Sequence, residues 1–172
     1  FRQMLGDVDE PTAPFDLLDI QSDGGHYAEA RLKLSSALAQ QVRSEAQRHG
    51  VVPASLFHLA WAMVLGQATG KNDVVFGTVL SGRVQGAEED KGGVARAIGL
   101  FINTLPLRIR LGSRSVIECV RETHMALAQL LQHEHASLSL VQRCSALESG
   151  APLFSALLNY RSNARGTKDL RW

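Results

Sequence analysis

Asp73-Val74-Val75-Phe76-Gly77-Thr78-Val79-Leu80 is β-branched and almost continuously apolar after its first residue. Such a run, closed by Ser81-Gly82-Arg83, predicts a strand covered on both faces rather than an amphipathic surface strand. The residues upstream agree with a covered interior. From Pro53 to Thr69 there is no formally charged residue, and Leu56, Phe57, Leu59, Trp61, Met63, Val64 and Leu65 wrap most of a helix. A helix apolar all round is expected to be buried all round. Pro53 suits its first turn and Gly70 its end.

Further upstream, Ser35 and Ser36 offer N-caps to a helix whose stripe is Leu38, Val42, Ala46 and His49, with Gly50 as its stop. Ala28, Ala30, Leu32 and Leu34 alternate with Glu29, Arg31 and Lys33, which predicts a half-buried strand from Tyr27. Residues 1–26, punctuated by Pro11, Pro14 and Ser22-Asp23-Gly24-Gly25, read as irregular.

Downstream, residues 84–97 carry five charges and three glycines and read as an exposed, mobile loop. Leu105, Leu107, Ile109 and Leu111 then alternate with Thr104, Pro106, Arg108 and Arg110, a strand that its proline places at an edge or that begins there. Ser115-Val116-Ile117-Glu118 is a capping box, and Ile117, Val120, His124, Leu127 and Leu131 form the stripe of the helix it opens. A short helix within 137–147 and a last strand over Leu153–Tyr160 complete the order β-α-α-β-loop-β-α-(α)-β. The expected fold is a two-layer α/β sandwich, a mixed sheet of about four strands packed on helices.

The 172 residues suit one domain. With Lys+Arg 18 against Asp+Glu 17 and a net charge of +1, nothing predicts a nucleic-acid or membrane partner. No apolar run reaches the roughly 20 residues of a bilayer span. Cys119 and Cys144 suggest two reduced thiols and a cytoplasmic setting. Opening on Phe1 and closing on Trp172, the chain is expected to be a piece of a longer one.

Several motifs fail on their chemistry. Gly66-Gln67-Ala68-Thr69-Gly70-Lys71-Asn72 has one residue too few for a phosphate loop, and it follows a helix instead of opening one. His133-Glu134-His135 has the wrong spacing for a helical zinc pair and reads as solvated histidines near a helix end. His124, on an apolar stripe, reads as a satisfied core histidine. No Gly-x-Ser-x-Gly elbow occurs. Spacing alone names no reaction.

Three stretches do carry a resemblance. Ile98-Gly99-Leu100-Phe101-Ile102-Asn103-Thr104-Leu105-Pro106-Leu107-Arg108 resembles the "IGxFxNTxxxR" motif of nonribosomal peptide synthetase condensation domains. Asn72 to Arg83 resembles the strand and turn before that motif. His133-Glu134-His135-Ala136-Ser137-Leu138, followed by Pro152 to Tyr160, takes the place of the family's His/Asn-Gln-Asp segment. The resemblance runs from about residue 27 to 162. It implies a chloramphenicol-acetyltransferase-like lobe, the C-terminal one of two that face each other across a tunnel. The expected division is 1–26 as a lead-in, 27–162 as the lobe and 163–172 as an exposed tail.

Family chemistry implied by the resemblance is amide formation between carrier-bound acyl or peptidyl and aminoacyl thioesters. Phosphopantetheine would arrive on partner carrier domains, upstream and downstream, with no cofactor or metal bound directly. The family's His-His-x-x-x-Asp-Gly signature belongs to the other lobe, and this chain has no adjacent His pair. The isolated chain is therefore expected to be inactive, to need the N-terminal lobe as partner, and to self-associate through the bare face. Ser81, Arg83, Asn103, Thr104, His133 and His135 are the candidate tunnel or lobe-interface residues. For Asn103 two roles stand open, orienting a pantetheine amide or fixing a turn before the strand. The His-Glu-His form, with Leu157-Leu158-Asn159-Tyr160-Arg161, leans toward the dual condensation/epimerisation subtype. An ester-forming acyltransferase of the same superfamily and a non-catalytic carrier-docking module are the alternatives.

Overall fold

The computed structural model describes residues 1–18, 27–81, 102–148 and 150–161. The run at 73–80 forms β1 (Asp73–Ser81), and it pairs antiparallel with β2 (Ile102–Arg110) in the register Asp73↔Arg110 to Ser81↔Ile102. A two-residue β3 (Leu157–Leu158) runs parallel to β1 on its other side. The described sheet is thus mixed, three-stranded and ordered β2-β1-β3, one strand fewer than expected. Pro106 sits opposite Gly77 in the edge strand β2, where a missing donor costs no ladder bond on the paired side.

Both faces of β1 are covered, as its composition requires. On one face the pairs Val74–Ile109, Phe76–Leu107 and Thr78–Leu105 meet helices α3 (Pro53–Thr69) and α4 (Val116–Leu131). The six side chains on that face are 5% exposed or less. On the other face, Val75 and Gly77 meet the first residues of the chain and the segment before β3. There the Val75 amide donates to Thr12 Oγ1 at 2.8 Å, and Thr12 bridges to Phe154. Gly77 is required by this approach. A Cβ at Gly77 would lie 2.7 Å from the Phe154 ring and 2.9 Å from the Thr104 methyl, with the Leu157 side chain nearer still.

The local signals act where chemistry is local. Ser35 Oγ accepts from the Leu38 amide at 3.2 Å to start α2 (Ser36–Arg48), and Gly50 follows that helix at φ +66°. Gly70, at φ +69°, caps α3, so the phosphate-loop lookalike is a helix end. Ser115 and Glu118 make both bonds of the capping box of α4. The Ser115 bonds hold the Glu118 carboxyl below its ordinary value. The buried stripe of α4 is Cys119, Val120, Thr123, Leu127 and Leu130, rotated from the expected one but sharing Val120 and Leu127. The short helix α5 (Leu138–Gln142) follows.

Four expectations change. Residues 1–18 are less irregular than they read: a helical turn α1 (Arg2–Leu5) and a 3-10 turn (Pro14–Asp16) form, and Leu5 and Val8 enter the core. Residues 27–34 make no strand and pair with none of the described residues, with Tyr27 at 89% and Leu32 at 91% exposure. The strand expected over Leu153–Tyr160 shrinks to Leu157–Leu158, because only there does the backbone meet β1. Finally, α3 is not buried all round: Met63 and Val64 are about half exposed. The charged loop at 84–97 lies outside the described residues. No single described helix is long and apolar enough to cross a membrane.

Candidate functional site

β2 carries two polar anchors, one near each end and on opposite faces, since their separation of five is odd in a period of two. Asn103 shares its face with Leu105, Leu107 and Ile109, toward the helices. Its Nδ2 donates to the carbonyls of Glu134 at 2.6 Å and Ala136 at 2.9 Å, and its Oδ1 accepts from the Thr104 amide at 2.9 Å. Both amide protons are therefore spent on the turn that follows α4. A strand end and a turn 31 residues later become one rigid corner.

That corner gathers most of the expected residues. Ser81 closes β1 opposite Ile102, next to the Leu80–Asn103 pair, and Thr104 lies opposite Val79. His133, exposed, lies beside the Phe1 ring with centroids 5.9 Å apart. His135 projects outward with its side chain 86% exposed, and its Nε2 is 3.7 Å from Glu134 Oε1, beyond hydrogen-bond reach. The structure thus brings together Ser81, Asn103, Thr104 and the backbone of 133–136, while leaving the two imidazoles largely to solvent. Arg83 lies outside the described residues.

Sequence reasoning missed Glu134, whose side chain is the buried one of the His-Glu-His trio. Glu134 is 8% exposed, and its Oε2 has no hydrogen-bond partner among the described residues. No periodic signal marks it, because the turn it occupies has no repeat.

The second anchor is Arg108, the last residue of the "IGxFxNTxxxR" stretch. Its guanidinium, with the side chain 7% exposed, donates to Asp73 Oδ1 at 2.9 Å and Oδ2 at 2.6 Å, to Asp7 through both terminal nitrogens, and to the Met4 carbonyl at 2.7 Å. Arg110 reinforces it, reaching Asp7 at 3.0 Å and Asp73 at 3.4 Å. The hydrogen bonds from Arg108 hold the Asp7 carboxyl down at about 2. The guanidinium is in turn held charged above its ordinary value by the two carboxylates. A planar fork facing two carboxylates is the geometry arginine serves and lysine does not.

A third polar feature lies beneath the sheet. His58, buried on α3, has Nδ1 2.7 Å from the Ala54 carbonyl and Nε2 2.7 Å from Thr78 Oγ1. The carbonyl can only accept, so Nδ1 carries the proton and Nε2 accepts from the threonine. Desolvation lowers the His58 pKa, keeping the ring neutral. His58 is the one titratable side chain in Pro53–Thr69, and that singularity was the available signal. His124 is half-buried and bonds Ser55 Oγ at 3.2 Å. Cys119 and Cys144 are free.

Chemically Asn103 and Arg108 position backbone, and the two hydroxyl–imidazole bonds, Thr78 to His58 and Ser55 with His124, tie α3 to the sheet and to α4. Two segments distant in sequence, the Asn103 strand and the His133–Ala136 turn, meet through the bonds described. The model of the Condensation domain family matches residues 9–169. Malpinin synthetase of Mortierella alpina is 53% identical over 164 residues, covering 95% of this chain and 2% of that protein. A nonribosomal peptide synthetase of Aspergillus campestris, ungA', is 39% identical over 127 residues, 73% of this chain and 1% of its own length. The chain therefore spans a small part of either relative. Among solved structures, the condensation domain from the monacolin K polyketide synthase MokA aligns with a TM-score of 0.58 at 22% identity. That alignment covers 73% of this chain and 29% of the other and is a likeness of fold. Matched by the family model across residues 9–169, this chain belongs to the condensation domain family.

Proposed function

We propose that the chain is the C-terminal lobe of a nonribosomal peptide synthetase condensation domain. In that reaction the amine of a carrier-bound aminoacyl thioester attacks the carbonyl of a carrier-bound acyl or peptidyl thioester. A C–N bond forms, the C–S bond breaks, and the released thiolate takes up the proton lost by the amine. The chain contributes walls and anchors to this reaction; the catalytic histidines come from the N-terminal lobe. Upstream and downstream carrier domains present both substrates on phosphopantetheine, and the setting is cytoplasmic.

The observation that carries this reading is the family match across residues 9–169 in a chain with no adjacent His pair. Asn103 serves as a positioning residue, since both of its donors are already engaged by Glu134 and Ala136. His133-Glu134-His135 in place of the Gln-Asp form, with Leu157-Leu158-Asn159-Tyr160-Arg161, supports the dual condensation/epimerisation subtype.

The test compares the 172-residue chain with the same chain joined to a part bearing the His-His motif. Each is given donor and acceptor thioesters loaded on carrier domains, and product is read by mass spectrometry. Amide from the joined protein and none from the chain alone is expected. Turnover by the chain alone, or ester from a hydroxyl acceptor in preference to amide, overturns the reading.

A further inference from the structure

We propose that Thr12 is a positioning residue: its hydroxyl takes the place of a strand carbonyl beside β1, and its backbone thereby sets the course of Leu153–Tyr160. The bearing of that course on amide formation rests on the functional reading above; the splice of Thr12 into the sheet does not.

The register of β1 and β3 shows what Thr12 replaces. Gly77 pairs with Leu157 and Thr78 with Leu158, and the Gly77 amide donates to the Ala156 carbonyl at 3.0 Å. Amides along one edge of a strand recur every second residue, so the neighbouring one toward the start of β1 is that of Val75. Continued by two residues, the same register would bring the Val75 amide to the carbonyl of Phe154. It goes instead to Thr12 Oγ1, at 2.8 Å. The backbone of Thr12 in turn takes up the segment around Phe154. The Thr12 amide donates to the Leu153 carbonyl at 3.0 Å, and the Ser155 amide donates to the Thr12 carbonyl at 3.2 Å. One residue thus bonds β1 with its side chain and residues 153–155 with its main chain.

This splice requires a hydroxyl. Thr12 and Val75 are each 2% exposed, so solvent does not rescue an amide that loses its acceptor there. Valine has the shape of threonine without an acceptor; serine keeps the acceptor without the methyl. Thr12 is also held from upstream. Lys71 Nζ reaches Glu10 Oε2 at 2.7 Å and the Pro11 carbonyl at 3.2 Å, and the Ala146 amide donates to the Val8 carbonyl at 3.0 Å. Downstream, the Tyr160 and Phe57 ring centroids lie 5.2 Å apart. The segment is therefore tied at its start by Thr12, at its middle by β1 and at its end by α3. Thr12 and this segment all lie inside the 9–169 family match, and Pro152–Tyr160 is one of the stretches that carry the resemblance.

The test compares three forms of the intact condensation domain containing these residues: the parent, Thr12→Val and Thr12→Ser. Amide hydrogen exchange under native conditions reads the splice, with the amides of α4 as the measure of global change. Thr12→Val speeds exchange at Val75 and Ser155 by about tenfold or more beyond any change in α4, and Thr12→Ser stays near the parent. Amide formation from carrier-loaded thioesters reads the positioning. With Thr12→Val, kcat falls by about tenfold or more while KM for the loaded carriers holds, and Thr12→Ser restores it. Should Thr12→Val fail to fold, Glu10→Gln reads the same path from upstream. Exchange at Ser155 then rises by about twofold to fivefold, as loss of one exposed ion pair allows.

Exchange at Val75 that rises no more than in α4 overturns the proposal. So does a Thr12→Ser domain as loose as Thr12→Val, or an unchanged Ser155 amide in Glu10→Gln. Loosened exchange with unchanged kcat overturns the positioning role. A parent domain that forms no amide refutes the functional reading instead, and the exchange results still decide the splice.

Discussion

Removing the Asn103 amide is the sharpest test of the corner it builds. Asn103→Ala deletes two donors, to the Glu134 and Ala136 carbonyls, and one acceptor, for the Thr104 amide. Each such bond contributes about 1 kcal/mol net, and a partly buried group left unpaired costs somewhat more. Solvent reaches this half-buried corner and recovers part of the loss, so a destabilisation of about 2–3 kcal/mol is expected. In a domain of this size that lowers Tm by roughly 4–10 °C. Asn103→Asp is nearly isosteric and keeps the acceptor for Thr104, but it turns a carboxylate oxygen toward two carbonyl oxygens. It should therefore destabilise at least as much as the alanine, although it preserves volume. His135→Ala, at an 86% exposed side chain, is the control and should stay within about 0.5 kcal/mol. Urea unfolding followed by far-UV circular dichroism, at a concentration where light scattering shows one species, reads all three. If both Asn103 variants fall within about 0.5 kcal/mol of the parent, the corner is not held by that side chain and the reasoning fails.

The two other predictions concern the opposite face of the sheet. Gly77→Ala places a methyl 2.7 Å from the Phe154 ring and 2.9 Å from the Thr104 methyl, so overpacking of about 1–3 kcal/mol is expected. Faster hydrogen exchange at the Gly77 amide, which donates to Ala156 at 3.0 Å, should accompany it; unchanged exchange and Tm would refute the close packing. Asp7, held at about 2 against an ordinary 3.8, contributes stability that is present above about pH 4 and is lost as pH falls toward 2. Asp7→Asn should remove that part of the acid sensitivity, and acid unfolding curves of equal slope for parent and variant between pH 4 and 2 would count against the Arg108 pairing.

What the sequence revealed and what it hid divide by the range of the interactions. The covered strand Asp73–Ser81 and the Ser115–Glu118 capping box were legible because a few neighbouring residues decide them. Alternation is a weaker witness. It reports that one side of a segment is apolar, not that a partner strand is present. Tyr27–Leu34 and Leu153–Tyr160 both alternate or run apolar, yet among the described residues the first pairs with no strand and the second pairs over two residues. The site was half legible for a similar reason. Asn103 stands out within its motif, but its partners are carbonyl oxygens, which every residue has, so nothing in the letters at 134 and 136 announces the contact. Arg108 meets Asp7 across 101 positions, and no spacing rule spans that distance.

The placement of these anchors argues for what β2 does. It is one of the two edge strands of the described sheet, and its central proline offers no donor on the side away from β1. Side chains take over the joining. Asn103 fixes the turn after α4 on the helical face; Arg108 fixes the chain's first residues and the start of β1 on the other. A strand clamped on one face near each end resists sliding, because a one-residue shift in register would put Ile102 or Thr104 in the place of Asn103 and Leu107 or Ile109 in the place of Arg108. The bonds that Asn103 and Arg108 make are ones that fix the register of this strand. On the function proposed above, a change at Asn103 or Arg108 in the intact domain would act through that register, and kcat is expected to fall with Asn103→Ala while substrate KM stays unchanged.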